Sequence, residues 1–156
     1  MSAIKKAGLK IFFPTFLLLI FSCTDSSKKN KNNGFETVEY VVYSQVGGKD
    51  GSYKTIKITQ DSIILNVGKT VLNVHQTWKT KLSEKQKKSI FNQLKVNQLA
   101  FIRSSESKQF KKEIDETFQV KTTKTSHVFV NAYYDEENYK QLKNFKTELD
   151  KLIPKE

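Results

Sequence analysis

From residue 37 to residue 79 the chain consists of short runs of alternating apolar and polar side chains, cut by turn-forming residues. A period of two belongs to the β-strand, whose successive side chains point to opposite faces. Wound into a helix, these runs would scatter their apolar groups around the whole circumference. Residues 37–46 are predicted as a first strand, with Val38, Tyr40 and Val42 on one face and Val41 and Tyr43 on the other. Gly47-Gly48-Lys49-Asp50-Gly51-Ser52 follows as a glycine-rich turn. Residues 53–59 form a second strand with Ile56 and Ile58 inside, and Gln60-Asp61-Ser62 turns tightly. Residues 63–67 and 71–79 read as two more strands, broken at Gly68-Lys69-Thr70. The expectation is a four-stranded antiparallel meander.

The period then changes. Ser83 and Gln86 have capping-box spacing, in which the serine oxygen accepts the amide three residues on and the glutamine reaches back. Ile90, Phe91 and Leu94 make a narrow apolar stripe that fails near Asn97, where the helix is expected to end. Leu99, Phe101 and Ile102 are expected to tuck an extended segment under the sheet, and 103–112 is a polar loop. Residues 116–122 and 126–134 alternate again, joined near Thr123-Lys124 by a turn that lacks glycine. Asp135 is placed to cap a last helix, with Glu136 and Glu137 in its first turn. Tyr139, Leu142, Phe145, Leu149, Leu152 and Ile153 share an arc of roughly 140° on that helix, and Pro154 stops it. The order ββββ-α-ββ-α predicts an α+β fold: an antiparallel sheet with two helices packed mainly on one face.

The first 22 residues carry another signal. Lys5, Lys6 and Lys10 make a basic start without acids, and residues 11–21 are almost wholly apolar and contain Pro14. That run is shorter than the about 17–25 residues needed to span a bilayer and suits a secretory signal peptide. Ser22 and Cys23 follow, and Cys23 is the only cysteine. The segment Leu19-Ile20-Phe21-Ser22-Cys23 resembles the lipobox of bacterial lipoproteins, although Phe21 is bulkier than the usual occupant. The resemblance implies cleavage between Ser22 and Cys23, a diacylglycerol thioether on the Cys23 sulfur and an acyl group on its new amine. Two or more acyl chains give stable membrane attachment without a transmembrane helix. The division expected is a signal peptide at 1–22, lipidated Cys23 with a polar tether to residue 34, and one α+β domain at 35–156. Surface-exposed lipoproteins of Bacteroidota commonly carry an acidic run after the cysteine. Here the tether is basic apart from Asp25, which points to the periplasm-facing side of the outer membrane. Over residues 36–153 the layout is similar to small lipoproteins of Bacteroidota that combine a short meander, a lysine-rich helix and a terminal helix; this likeness brings no activity with it.

The chain is basic, +11 over 156 residues, and loss of the three leader lysines lowers this to about +8. Lysine supplies all but one of the 27 basic residues, the exception being Arg103. Bidentate phosphate recognition favours arginine, so nucleic acid is not an expected partner. Expected partners are the membrane, through the lipid on Cys23, and an envelope protein, glycan or other anionic polymer.

The catalytic signals have ordinary explanations. Gly68-Lys69-Thr70 matches the end of a phosphate-binding loop, but Ile63 stands where its first glycine belongs, and strand is expected where helix is required. Gly47, Gly48 and Gly51 could form an anion nest and more often serve a long hairpin turn. His75 and His127 lack ligand-spaced partners, and His127 is expected half-exposed on a strand. The acidic groups 113–116 and 135–137 are read as a solvated strand entry and a helix cap. No catalytic, cofactor or metal set is assigned. The expected function is non-enzymatic binding in the envelope. The alternatives are a hydrolase with a spatially assembled carboxylate site and a basic module on anionic polymer. Tyr40, Tyr43, Tyr53, Trp78, Phe129, Tyr133 and Tyr134 fall on predicted strands and suggest an exposed aromatic face.

Overall fold

The computed structural model describes residues 35–109 and 113–154. Ser22, Cys23 and the tether lie outside the described residues. Six strands run β1 Val38–Gly47, β2 Ser52–Thr59, β3 Ser62–Lys69, β4 Val74–Lys81, β5 Ile114–Thr122 and β6 Ser126–Val130. Helix α1, Glu84–Phe91, and a 3-10 helix, Val96–Phe101, separate β4 from β5. A 3-10 turn, Ala132–Tyr134, and helix α2, Lys140–Asp150, follow β6. The strands form one antiparallel sheet in the order β4-β3-β2-β1-β5-β6. The α+β order expected from the sequence is therefore present, and β5 docks on the free edge of β1, which places the first strand inside the sheet.

Registered rows on one face make the core. Leu65, Ile56, Tyr43, Phe118 and Phe129 lie side by side across β3, β2, β1, β5 and β6. Ile63, Ile58, Val41 and Val120 form the next row, and all four are fully buried. Ile90 of α1 and Leu142, Phe145 and Leu149 of α2 join them in a single cluster. Phe145 meets Phe118 edge-on, with ring centroids 6.5 Å apart. Each such side chain contributes roughly 1.5–3 kcal/mol by leaving water.

Val38 was expected with Tyr40 and Val42 and instead lies buried on the core side. The register slips between Val38 and Tyr40, which pair with Thr122 and Lys121 in turn. The extra residue, Glu39, is a β-bulge, and a bulge exchanges the faces of everything before it. The β3–β4 turn also differs from expectation. Gly68 and Lys69 stay in β3, and Thr70, Val71, Leu72 and Asn73 make the turn. Asn73 supplies the positive φ, 50°. Thr70 and Val71 donate their amides to Gly51 and Asp50 of the neighbouring turn, at 3.1 and 3.3 Å.

The glycine-free turn after β5 is held by a hydroxyl. Thr122 Oγ1 accepts the amides of Lys124 and Thr125 at 3.3 and 2.8 Å. The capping box at Ser83 and Gln86 is present, but α1 ends at Phe91, short of Asn97. The next segment is 3-10, not the short extended segment that the sequence predicts. Its three-residue period buries Leu99 and Ile102 and leaves Phe101 64% exposed. β6 stops at Val130 because Asn131 turns left-handed at φ 47°. Asp135 caps the turn that precedes α2, accepting the Asn138 amide at 3.2 Å, and the helix proper starts at Lys140.

Ser83→Ala removes the oxygen that holds the first turn of α1. The expected loss is about 1 kcal/mol, read as a lower urea midpoint at unchanged m-value.

Candidate functional site

Helices cover one face of the sheet. On the opposite face, cross-strand rows bring Lys79, Ile64, Lys57, Val42, Gln119 and Val128 together, with Lys81, Tyr40 and Lys121 one row away. Lys57, Lys79, Lys81 and Lys121 form no ion pair among the described residues. Lys57 lies over the Tyr40 ring, 4.9 Å from its centroid. The open face is therefore cationic, with uncharged side chains, the apolar Ile64, Val42 and Val128 among them, around the lysines.

One end of this face carries a directed hydrogen-bond chain. Thr77 donates to Asn66 Oδ1 at 2.9 Å and so accepts from His75 Nε2 at 3.0 Å. That proton placement leaves His75 Nδ1 to accept the Tyr53 hydroxyl at 2.5 Å. Gly68 lies between Tyr53 and His75 in the register. A Cβ there would sit 2.5 Å from the Tyr53 hydroxyl oxygen and 2.3 Å from the Val74 carbonyl. Gly68 is thus needed for the crossing of Tyr53, and neither it nor Lys69 belongs to a phosphate loop.

The other motifs resolve in the same way. Gly48 and Gly51 spend their amides on the Glu113 and Gly48 carbonyls, at 3.3 and 3.2 Å, so the glycines serve the hairpin. His127 is half-exposed, as expected, and stacks on Phe129 with centroids 6.1 Å apart. Its Nε2 lies 3.0 Å from Thr125 Oγ1, which donates to Glu36 at 2.9 Å. Thr122 also donates to Glu36, so the cluster fastens the start of β1 to the β5–β6 turn. The aromatics of the predicted strands divide between the open face and other places in the fold. Tyr43 and Phe129 are buried, Trp78 packs against the core, and Tyr133 and Tyr134 lie after β6 with Lys108 over their rings. Tyr40 and Tyr53 are the two of the set that stand on the open face. Among the described residues no three His, Cys, Asp or Glu side chains are grouped to hold a metal, and no helix is long and apolar enough to cross a membrane.

Asp115 and Glu116 overturn the reading of 113–116 as a solvated strand entry. Both are buried, at 5% and 7% exposure, on opposite sides of β5. Glu116 lies under α2. Its carboxylate accepts the Tyr43 hydroxyl at 3.1 Å and the Tyr139 hydroxyl at 2.5 Å, and pairs with Lys146 at 2.7 Å. Burial, and then the Glu116 charge and hydrogen bonds, push both phenols far above their ordinary range, so they remain donors. Asp115 fixes the loop before β5. It accepts the Ser107 hydroxyl at 2.5 Å, the Lys108 amide at 2.7 Å and the Asn131 side chain at 2.7 Å. Burial pushes the Asp115 carboxyl up, but these three donors outweigh it and hold the group below the usual carboxylate range. Asn131 joins the pair, its Oδ1 accepting the Glu116 amide at 3.0 Å. Local sequence carried no sign of this, because Tyr43 stands 73 residues and Lys146 30 residues away.

No protein-family model matches this chain, and no curated protein matches it.

Glu116→Ala is expected to cost about 3 kcal/mol, because it strands two buried hydroxyls and a lysine. Glu116→Gln keeps the shape and costs about 1–2 kcal/mol; equal losses in urea titrations count against the charged node. For Asp115 the folded value lies below the unfolded one, near 3.8. Its stabilisation is present above that pH and is lost as pH falls through the folded value. Asp115→Asn is therefore less stable at neutral pH and loses less stability than the parent below about pH 4, as read by acid-dependent urea midpoints.

Proposed function

We propose that this chain is a lipoprotein of the bacterial envelope, anchored through lipid on Cys23 and facing the periplasm from the outer membrane. Its domain acts by binding another envelope component. The observation that carries the binding reading is the open sheet face. Four lysines there stand without ion pairs among the described residues, whereas Asp115 and Glu116 are spent inside the fold. Such a face attracts an anionic protein or glycan and holds it with contacts that salt weakens. The basic leader, the short apolar run and the lone cysteine support the anchor.

Cys23→Ala is expected to abolish lipid labelling and release the protein from the membrane fraction. Labelled, membrane-bound Cys23→Ala protein sinks the anchor. Lys57→Glu combined with Lys121→Glu lowers recovery of the cross-linked envelope partner without loss of folding. Undiminished recovery at low and high salt counts against the cationic face.

A further inference from the structure

The two edges of the sheet are treated differently. The edge at β6 is short and closed. Ser105 donates its amide to the Val130 carbonyl at 2.8 Å, and the Val130 amide donates to Ser104 Oγ at 3.0 Å. The edge at β4 is eight residues long, and no segment among the described residues bonds to its outer side. Every second residue of such a strand turns its N–H and C=O away from the sheet, which is a template for another strand.

The side chains along β4 say what would fit. On the helix side, Val74 and Gln76 border a hollow of about 480 Å³ whose floor includes Val67, Gln45 and Lys69, and Trp78 stands half-buried further along. On the open side lie His75, Thr77, Lys79 and Lys81, and β4 contains no carboxylate. A second copy of the chain would bring Lys79 and Lys81 of both strands onto one side of the joint, where like charges oppose pairing.

From the open edge, the adjoining hollow and the lysines, we infer that β4 receives an extended acidic segment of a partner protein by strand addition. Apolar side chains of that segment enter the hollow, and its alternate Asp or Glu side chains meet Lys79 and Lys81. Main-chain hydrogen bonds hold the added strand, and the two-sided pattern selects it. This inference rests on the binding reading above and names its contact edge.

The test uses the mature full-length protein in detergent and a fluorescein-labelled peptide of alternating valine and glutamate. Saturable binding is expected, weakened about tenfold by Lys79→Glu with Lys81→Glu, the loss of two exposed charge pairs. Peptides N-methylated at one alternate set of amides are expected to lose binding, and those methylated at the other set to keep it. Equal binding of both methylated sets, or of a peptide with the same composition in blocks, overturns strand addition. Concentration-dependent dimerisation that blocks the peptide assigns the edge to a second copy and also overturns it. If the peptide fails while Lys57 and Lys121 still govern partner recovery, the edge is wrong and the open face stands.

Discussion

A carboxylate buried between a sheet and a helix organises this domain. Glu116 draws the Tyr43 hydroxyl from β1, the Tyr139 hydroxyl from the entry to α2 and the ammonium of Lys146 from α2 itself. Through its own amide it also holds Asn131, whose left-handed backbone ends β6. Burying a charge is costly unless every partner is present. The node therefore specifies how α2 lies on the sheet more sharply than the apolar contacts can, because leucine and phenylalanine tolerate sliding and a three-way hydrogen-bonded carboxylate does not.

The same arrangement shapes the surface. Two acids of the sheet are used inside: Asp115 to pin the loop that seals the β6 edge, and Glu116 to seat the helix. The exterior of the sheet keeps its lysines and one long unsealed edge. Charge separation of this kind leaves cationic groups on the surface and withdraws these two carboxylates from solvent.

Alternation made most of the strands legible, and the capping pair at Ser83 and Gln86 made the first helix legible. The departures have physical causes that operate across the sheet. Val38 changed faces because one residue, Glu39, bulges against β5, and a bulge leaves no mark on local composition. Val71 and Leu72 looked like strand by propensity, yet Asn73 accepted the turn conformation and the adjacent hairpin supplied carbonyls for Thr70 and Val71. The acidic pair departs from its local pattern for the most general reason. Consecutive charges at a strand entry imply solvent unless their distant partners are known, and here those partners come from β1, the residue that ends β6, the entry to α2, α2 itself and the loop before β5.

The position of β1 has a mechanical consequence. A load applied through the N-terminal side of the domain acts along β1, which lies between β2 and β5 and is antiparallel to both. Pulling along that axis strains the hydrogen bonds of two ladders together, in shear, whereas an edge strand pulled from its end would open one bond after another. The Glu36 clasp to Thr122 and Thr125 takes up load before the ladders do. A domain built in this way resists drag at the end where the chain enters the sheet and leaves β4, three strands away, free of that tension.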